Sequence, residues 1–368
     1  MITKDYYLPF FARVSIFIIG LYVFFNILYI GRVIILPIVF ATIIAIVLHP
    51  VVNFFVRRKI HRIIAITITL LMTFFVLAGL CLLLYSQANR FSDSWPQLVE
   101  RFTIIINNSI SWTAGHFDIN PSKIHEWITK AKVELIQFSS SAIGPTIMSV
   151  STVIFALFLI PVYIFMILFY HPLLIDFIRK VFAKSNHIQV NEIITQTKKV
   201  IQRYLYGLVI EFILITTAYS LTLWILGIDY ALMLGIIGGL LNVIPFIGGF
   251  GGIALPMMIA LATKDSAWPA IYVLVIFYII QMIDNHYIIP RIVASKVKIN
   301  ALFALIVIFI GNAIWGIPGM FLSIPLLAVV KLIFDHIDTM KPWGFLLGDT
   351  MPQMTLHPLL NKLKKLNK

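Results

Sequence analysis

Apolar residues fall in long blocks, unlike the narrow stripes of a soluble amphipathic helix. The blocks Phe11–Ile30, Val33–Val52 and Ile63–Tyr85 each reach the ~20 residues a helix needs to cross about 30 Å of hydrocarbon. Gly31-Arg32 separates the first two. From Gln87 to Gly144 polar and apolar residues mix at helical spacing. Leu98, Phe102, Ile105 and Ile106 share one face. After Asn120-Pro121, an N-cap followed by proline at the first helical position, Ile124, Trp127, Ile128, Ala131, Leu135 and Phe138 form a second stripe. This region predicts a small helical extramembrane module. Further spans are predicted at Val150–Tyr170, Tyr204–Leu226 and Ala270–Ile289, with amphipathic stretches over Leu174–Val200.

Two apolar stretches are longer and interrupted. Ala231–Thr263 contains N-V-I-P-F-I-G-G, and Ile299–Phe334 contains W-G-I-P-G. Positive charge decides how they sit. The basic loop Asn53–Arg62 carries Arg57, Arg58, Lys59 and Arg62 and no acid. Leu173–Arg203, Pro290–Lys298 and the tail from Lys331 are also rich in Lys and Arg, whereas the Gln87–Gly144 module is balanced. Basic loops stay inside, so the module is placed outside and both termini in the cytoplasm. Counting crossings then requires Ala231–Thr263 to begin and end outside, and Ile299–Phe334 to begin and end inside. Each is a hairpin. Its arms reach roughly 25 Å, slightly short of a full span, and its tip carries Pro and Gly, so a re-entrant form is expected.

The expected fold is all-α: a polytopic membrane protein with about six full transmembrane helices, two hairpins and the outer module. The chain divides into N-terminal helices (1–86), the module (87–147), a span with cytoplasmic amphipathic helices (148–203), a core with two broken hairpins (204–338) and a basic tail (339–368). Composition agrees: 60% of residues are hydrophobic and 12% charged, about half the charged share of a soluble domain. The net charge of +13 lies in short loops between spans, where it serves topology and anionic lipid and not nucleic acid. The single cysteine, Cys81, lies in an apolar run and permits neither an intramolecular disulfide nor a cysteine metal site. The first apolar run lacks a cleavage site and is read as a retained helix.

Candidate chemistry follows from the interruptions and from acids inside the apolar runs. Discontinuous helices free backbone groups that bind ions and substrates. The first tip offers Asn242, Pro245, Gly248 and Gly249, the second Asn312, Gly316, Pro318 and Gly319. Intramembrane acids mark functional sites by default, and two stand out, Glu211 and Asp284. Gln281, Asp284 and Tyr287 recur at i, i+3, i+6 on one helix face, with Arg291 as an alternative structural partner for Asp284. His49 and His171 each precede a proline at a span end and read as interfacial. HExxH, GxSxG, CxxC and Walker A patterns are absent, so no enzyme, cofactor or resident metal is expected.

The second half also resembles a known family. W-I-L-G-I-D-Y-A-L-M-L-G, L-L-N-V-I-P-F-I-G, I-D-N-H-Y-I-I-P-R-I and W-G-I-P-G-M-F-L-S-I-P-L follow the order and spacing of the autoinducer-2 exporter family. The resemblance implies a bacterial inner-membrane permease, with autoinducer-2 export and sodium (or lithium)/proton antiport among its activities, and homo-oligomers such as pentamers. It places family motifs on Asn242, Pro245, Gly248, Asp284, Asn285, Pro290, Arg291, Gly316, Gly319 and Pro325. The chain departs from the pattern at Ala294 and Ala301, and carries Asp284 where relatives often have glutamate. The expectation is a secondary transporter of a small hydrophilic solute, or one exchanging sodium or lithium for protons. The alternative is a passive pore or an interaction scaffold.

Overall fold

The computed structural model describes residues 9–117, 158–181, 187–244, 247–264, 266–293 and 297–349. All regular elements among these residues are helical. Helix α1 spans Phe10–Ile30, α2 Arg32–Arg57, α3 Arg62–Phe117, α4 Phe158–Phe169, α5 His171–Val181 and α6 His187–Ile225. Helix α7 spans Ala231–Asn242, α8 Ile247–Thr263 and α9 Trp268–Ile283. Helix α9 continues as a π-helical segment, Asp284–Val293. Then come α10 (Ala301–Trp315), α11 (Ile317–His336) and α12 (Lys341–Leu347). Six of the described helices are long and apolar enough to cross a membrane, and α4 with α5 forms a bent pair that reaches that length jointly.

Helix α1 buries none of its residues, although it is apolar all round. Such a surface is tolerated in lipid and not in water. Helix α3 differs from the expected short span followed by a separate helix. It runs for 56 residues, about 84 Å at 1.5 Å per residue, so the first arm of the module is its continuation. The second stripe after Asn120-Pro121 lies outside the described residues. Helix α6 likewise joins the expected amphipathic stretch and fifth span into 39 unbroken residues, and the boundary at 203/204 falls inside it. Gly207 does not interrupt it. A Cβ there would stand 2.6 Å from the Ile292 carbonyl oxygen, so the glycine lets the π segment press against α6.

Helix ends follow local chemistry. Helix α6 stops in a Schellman motif: Gly227 takes φ +66°, its N–H donates to Trp224 O (3.0 Å), and Ile228 N–H donates to Leu223 O (2.8 Å). Helix α10 starts with the Asn300 side chain accepting from Leu302 N–H at 2.9 Å. It ends at Gly316, φ +63°, with Pro318 following. Two prolines free carbonyls that distant side chains then claim. Pro50 has no N–H for Ile46 O, which accepts from Gln202 of α6 at 2.6 Å. Pro172, at the 65° bend between α4 and α5, leaves Leu168 O to Arg62 at 2.6 Å. Trp315 caps the last turn of α1 by donating to Leu28 O at 2.9 Å.

Three apolar clusters organise the bundle. The first joins α6, α7, α8 and α9 around Tyr219, Leu234, Val273 and Phe277. The second joins α2, the lower half of α6, the π segment and α11 around Ile43, Leu205, Val293 and Leu322. The third joins α2, α3 and α4 around Ala45, Ile66 and Leu168. Helix α6 passes through the first two.

The hairpins close on small residues. Gly235 and Gly239 of α7 face Ser220 and Thr216 of α6, and Gly311 of α10 faces Gly319 and Ser323 of α11. The hydroxyls of Thr216 and Ser220 are buried with no nitrogen or oxygen partner. They lie against glycine backbone, a contact of the weak Cα–H···O kind. By length, α7 (12 residues), α8 (17) and α10 (15) fall short of a span, whereas α11 (20) reaches one.

Gly235→Ala tests this packing, because the new Cβ would stand 2.7 Å from the Ser220 backbone nitrogen. It is expected to destabilise the detergent-solubilised protein by about 1–3 kcal/mol, read as a lower thermal midpoint. Gly20→Ala on α1, with nothing within 4 Å, gains helix propensity and leaves the midpoint unchanged or raised.

Candidate functional site

The first hairpin breaks directly beside the two intramembrane acids. Glu211 sits on α6 between Leu208 of the second cluster and Ile215 of the first. Asn242 is the last residue of α7, and Asp284 opens the π segment after α9. The Asn242 side-chain amide donates both protons: one to Glu211 Oε1 at 3.1 Å and one to Asp284 Oδ2 at 2.8 Å. Asp284 is 0% exposed, Glu211 3% and Asn242 9%. The other Asp284 oxygen, Oδ1, is buried and has no hydrogen-bond partner among the described residues. Among the described residues no Lys, Arg or His forms an ion pair with either acid.

Backbone approach makes this possible. Gly248, at the start of α8, lies directly against the Asn242 backbone, where any Cβ would overlap it. Gly249 faces the Gln281 side chain, which a Cβ there would meet at 3.9 Å. Gln281 Oε1 accepts from the Tyr219 hydroxyl at 3.0 Å, and the Tyr219 ring stacks on Phe277 with centroids 4.0 Å apart. Hydrogen bonds thus join Glu211, Asn242 and Asp284, and a second pair, Tyr219 with Gln281, lies one turn of α9 away.

Of the residues singled out from sequence, Glu211, Gln281, Asp284, Asn242, Gly248 and Gly249 gather here. Asn285 and Arg291 are exposed and do not. The Arg291 guanidinium lies over the Tyr287 ring at 5.7 Å, and Tyr287 itself is 58% exposed. The cause is the π segment. Seven residues make nearly two turns of an α-helix, which would align Arg291 with Asp284. With i→i+5 bonding they complete fewer turns, so Tyr287 and Arg291 leave the face of Asp284. Pro245 lies outside the described residues. The second tip contributes no hydrogen bond to the acids among the described residues. Asn312 and Pro318 are exposed, Gly316 is open, and Gly319 serves helix packing. Tyr219 was not singled out from sequence. The available signal was its position eight residues after Glu211, a little over two turns along α6. Among the described residues there is no group of three His, Cys, Asp or Glu that could hold a metal.

The sequence pattern of the AI-2E family transporters matches residues 17–339. The chain belongs to the AI-2E transporter family. It is similar to YrrI of Bacillus subtilis (strain 168), 24% identical over 321 residues that cover 84% of this chain and 88% of YrrI. It is similar to YhhT of Escherichia coli (strain K12), 24% identical over 332 residues covering 88% and 90%. The AI-2 transport protein TqsA of E. coli (strain K12) matches at 24% identity over 340 residues, covering 86% of this chain and 90% of TqsA. As an AI-2E family member the protein is a multi-pass membrane transporter with bacterial homologues, of a family not known for enzymes.

The bridging amide carries a direct expectation. Asn242→Ala removes the partner of both acids and leaves buried oxygens unmatched, at a cost of about 1–3 kcal/mol. Asn242→Asp adds a third acid to the same space and is expected to destabilise further. Thermal unfolding in detergent reads both, and Asn242→Ala combined with Asp284→Asn is expected to be non-additive.

Proposed function

We propose that this AI-2E family protein is a secondary transporter whose coupling site is the Glu211–Asn242–Asp284 cluster. The observation that carries the reading is two buried acids sharing one amide, with no Lys, Arg or His paired to either among the described residues. Two carboxylates in a space closed to water cannot both stay negative without compensation. A proton or a desolvated monovalent cation supplies it. The two compete for one place, and competition at a single site accessible in turn from each side is the basis of exchange. The unpartnered Asp284 Oδ1, with Glu211 and the freed backbone at the α7–α8 break, offers the oxygen donors that sodium or lithium prefers.

We place the chain in the bacterial inner membrane with both termini cytoplasmic, on the strength of its basic loops. The lengths of α7 and α8, about 18 Å and about 26 Å at 1.5 Å per residue, support a re-entrant first hairpin. Its tip then lies at membrane depth inside protein, where broken backbone is tolerated. The solute is a small hydrophilic molecule or the cation itself.

Proteoliposomes loaded with a pH-sensitive dye test the reading. A sodium or lithium gradient is expected to move protons in wild type, and Asp284→Asn to abolish that response while the protein remains folded. Glu211→Gln is expected to reduce it at least ten-fold. A wild-type protein that passes solute, autoinducer-2 included, with no dependence on pH or cation gradients would overturn coupling and favour a passive pore.

A further inference from the structure

At the end of the bundle that carries the basic loops there is a second feature, unrelated to the acid cluster. A cavity of about 690 Å³ opens between α2, α4, α5, the start of α6 and the end of α11. That volume lies within the ~300–1,000 Å³ common for sites that bind small molecules. Its wall is mostly aliphatic, with Ile46, Leu174, Ile178, Ile193 and Ile333 prominent. One rim is different. There His49 and His171 stack with ring centroids 4.5 Å apart, and Lys198 Nζ donates to His49 Nδ1 at 2.8 Å. An ammonium has only protons to give, so His49 accepts on Nδ1 and carries its ring proton on Nε2. Beyond the histidine pair, and sharing it as a wall, lies a smaller pocket of about 200 Å³ that Asn53 and Arg62 help to line.

Two half-buried cations therefore flank the histidines, Lys198 on one side and Arg62 on the other. Among the described residues neither is in an ion pair with a carboxylate. The one acid lining either cavity, Asp338, stands with the far rim and pairs with Lys341 at 2.6 Å. The site is thus aliphatic over most of its wall and cationic at one end, and the one acid among its described lining residues, Asp338, is already paired with Lys341. In a membrane protein that pattern is complementary to one class of molecule, an amphiphile with an anionic head. Basic pockets between helices at the cytoplasmic surface bind phospholipid headgroups in this way.

We propose that this cavity is a binding site for an anionic phospholipid, with an acyl chain against α2, α5 and α6 and the phosphate on Lys198 at the histidine rim, where Arg62 adds positive charge from behind the histidine pair. The lipid wedges between the bent α4–α5 pair and α6, so its loss loosens the contact of α5 with the bundle. The expected partner is phosphatidylglycerol or another glycerophospholipid bearing net negative charge, drawn from the surrounding leaflet.

The test uses the full chain in detergent, with native mass spectrometry counting retained molecules. The probes are phosphatidylglycerol, phosphatidylcholine of the same acyl chains, and inorganic phosphate. Wild type is expected to retain one phosphatidylglycerol with at least about five-fold preference over phosphatidylcholine, as one or two basic contacts supply. Lys198→Gln is expected to erase that preference while leaving weak retention of both lipids. Ile193→Trp, which fills the cavity, is expected to remove retention of both, and Ile178→Trp provides a second filling variant should the first fail to fold. Trp substitution at the exposed Ile188, outside the cavity lining, is expected to leave retention unchanged. Equal retention of the two lipids by wild type would overturn the proposal. So would phosphatidylglycerol retention indifferent to both filling variants, or inorganic phosphate displacing the lipid at comparable concentration, which would indicate a site for a free anion.

Discussion

Burying two acids with one amide between them, and no basic side chain paired to either among the described residues, constrains everything around that point. At a place so deeply buried, each oxygen needs a hydrogen-bond donor or a bound ion. Several features of the fold meet that need. Helix α6 stays unbroken for 39 residues, so Glu211 is held rigidly at the seam between two apolar clusters. Helix α7 stops at Asn242, which frees its side chain to reach two different helices. Gly248 has no side chain, which lets α8 start against the Asn242 backbone. The π segment turns Asp284 inward while sending Tyr287 and Arg291 outward. A cation such as Arg291 in contact with Asp284 would fix a permanent compensating charge there. The wider turn keeps it away, which is what the proposed exchange of a compensating charge requires.

The opposite end of the bundle solves another problem. Prolines 50 and 172 follow His49 and His171, and each leaves a carbonyl one turn back without its helical donor. Gln202 and Arg62 take those carbonyls across helix boundaries. The first contact ties α6 to α2 and the second ties α3 to α4, and the two histidines stack beside them with ring centroids 4.5 Å apart. The kink at Pro172 swings α5 away from the line of α4, and the aliphatic cavity lies in the angle between α5 and its neighbours. Basic residues at this end of the bundle, Lys198 and Arg62, thus also border an apolar space.

Much of the architecture was legible in the residue pattern, because lipid demands long uncharged runs and loops demand polar ones. The spans near Phe11, Val33, Ile63 and Ala270, the two interrupted hairpins, and Glu211, Gln281 and Asp284 as polar positions inside apolar runs could be read there. What escaped depends on geometry that residue spacing does not encode. A strict 3.6-residue period placed Tyr287 on the face of Asp284, and the π turn moved it off. The polar stretch after Tyr85 suggested a break, yet nothing in it was strong enough to stop α3, and even Pro96 lies within the helix. The two His-Pro pairs were visible as separate interfacial signals. That they meet, and that Lys198 joins them, follows only from how the prolines bend and pair the helices. The second tip, W-G-I-P-G, looked equivalent to the first. Its glycines serve close packing and a left-handed turn, and its asparagine faces outward.

The most direct test of the exchangeable charge is proton release from the purified protein in weakly buffered detergent. If a proton compensates the Glu211–Asp284 pair and a cation takes its place, adding sodium or lithium releases protons, as metal binding to protonated ligands does. The expected result is a saturable release of about one proton per chain in wild type, absent in Asp284→Asn. A folded wild-type protein that releases no proton on addition of either cation would contradict the account.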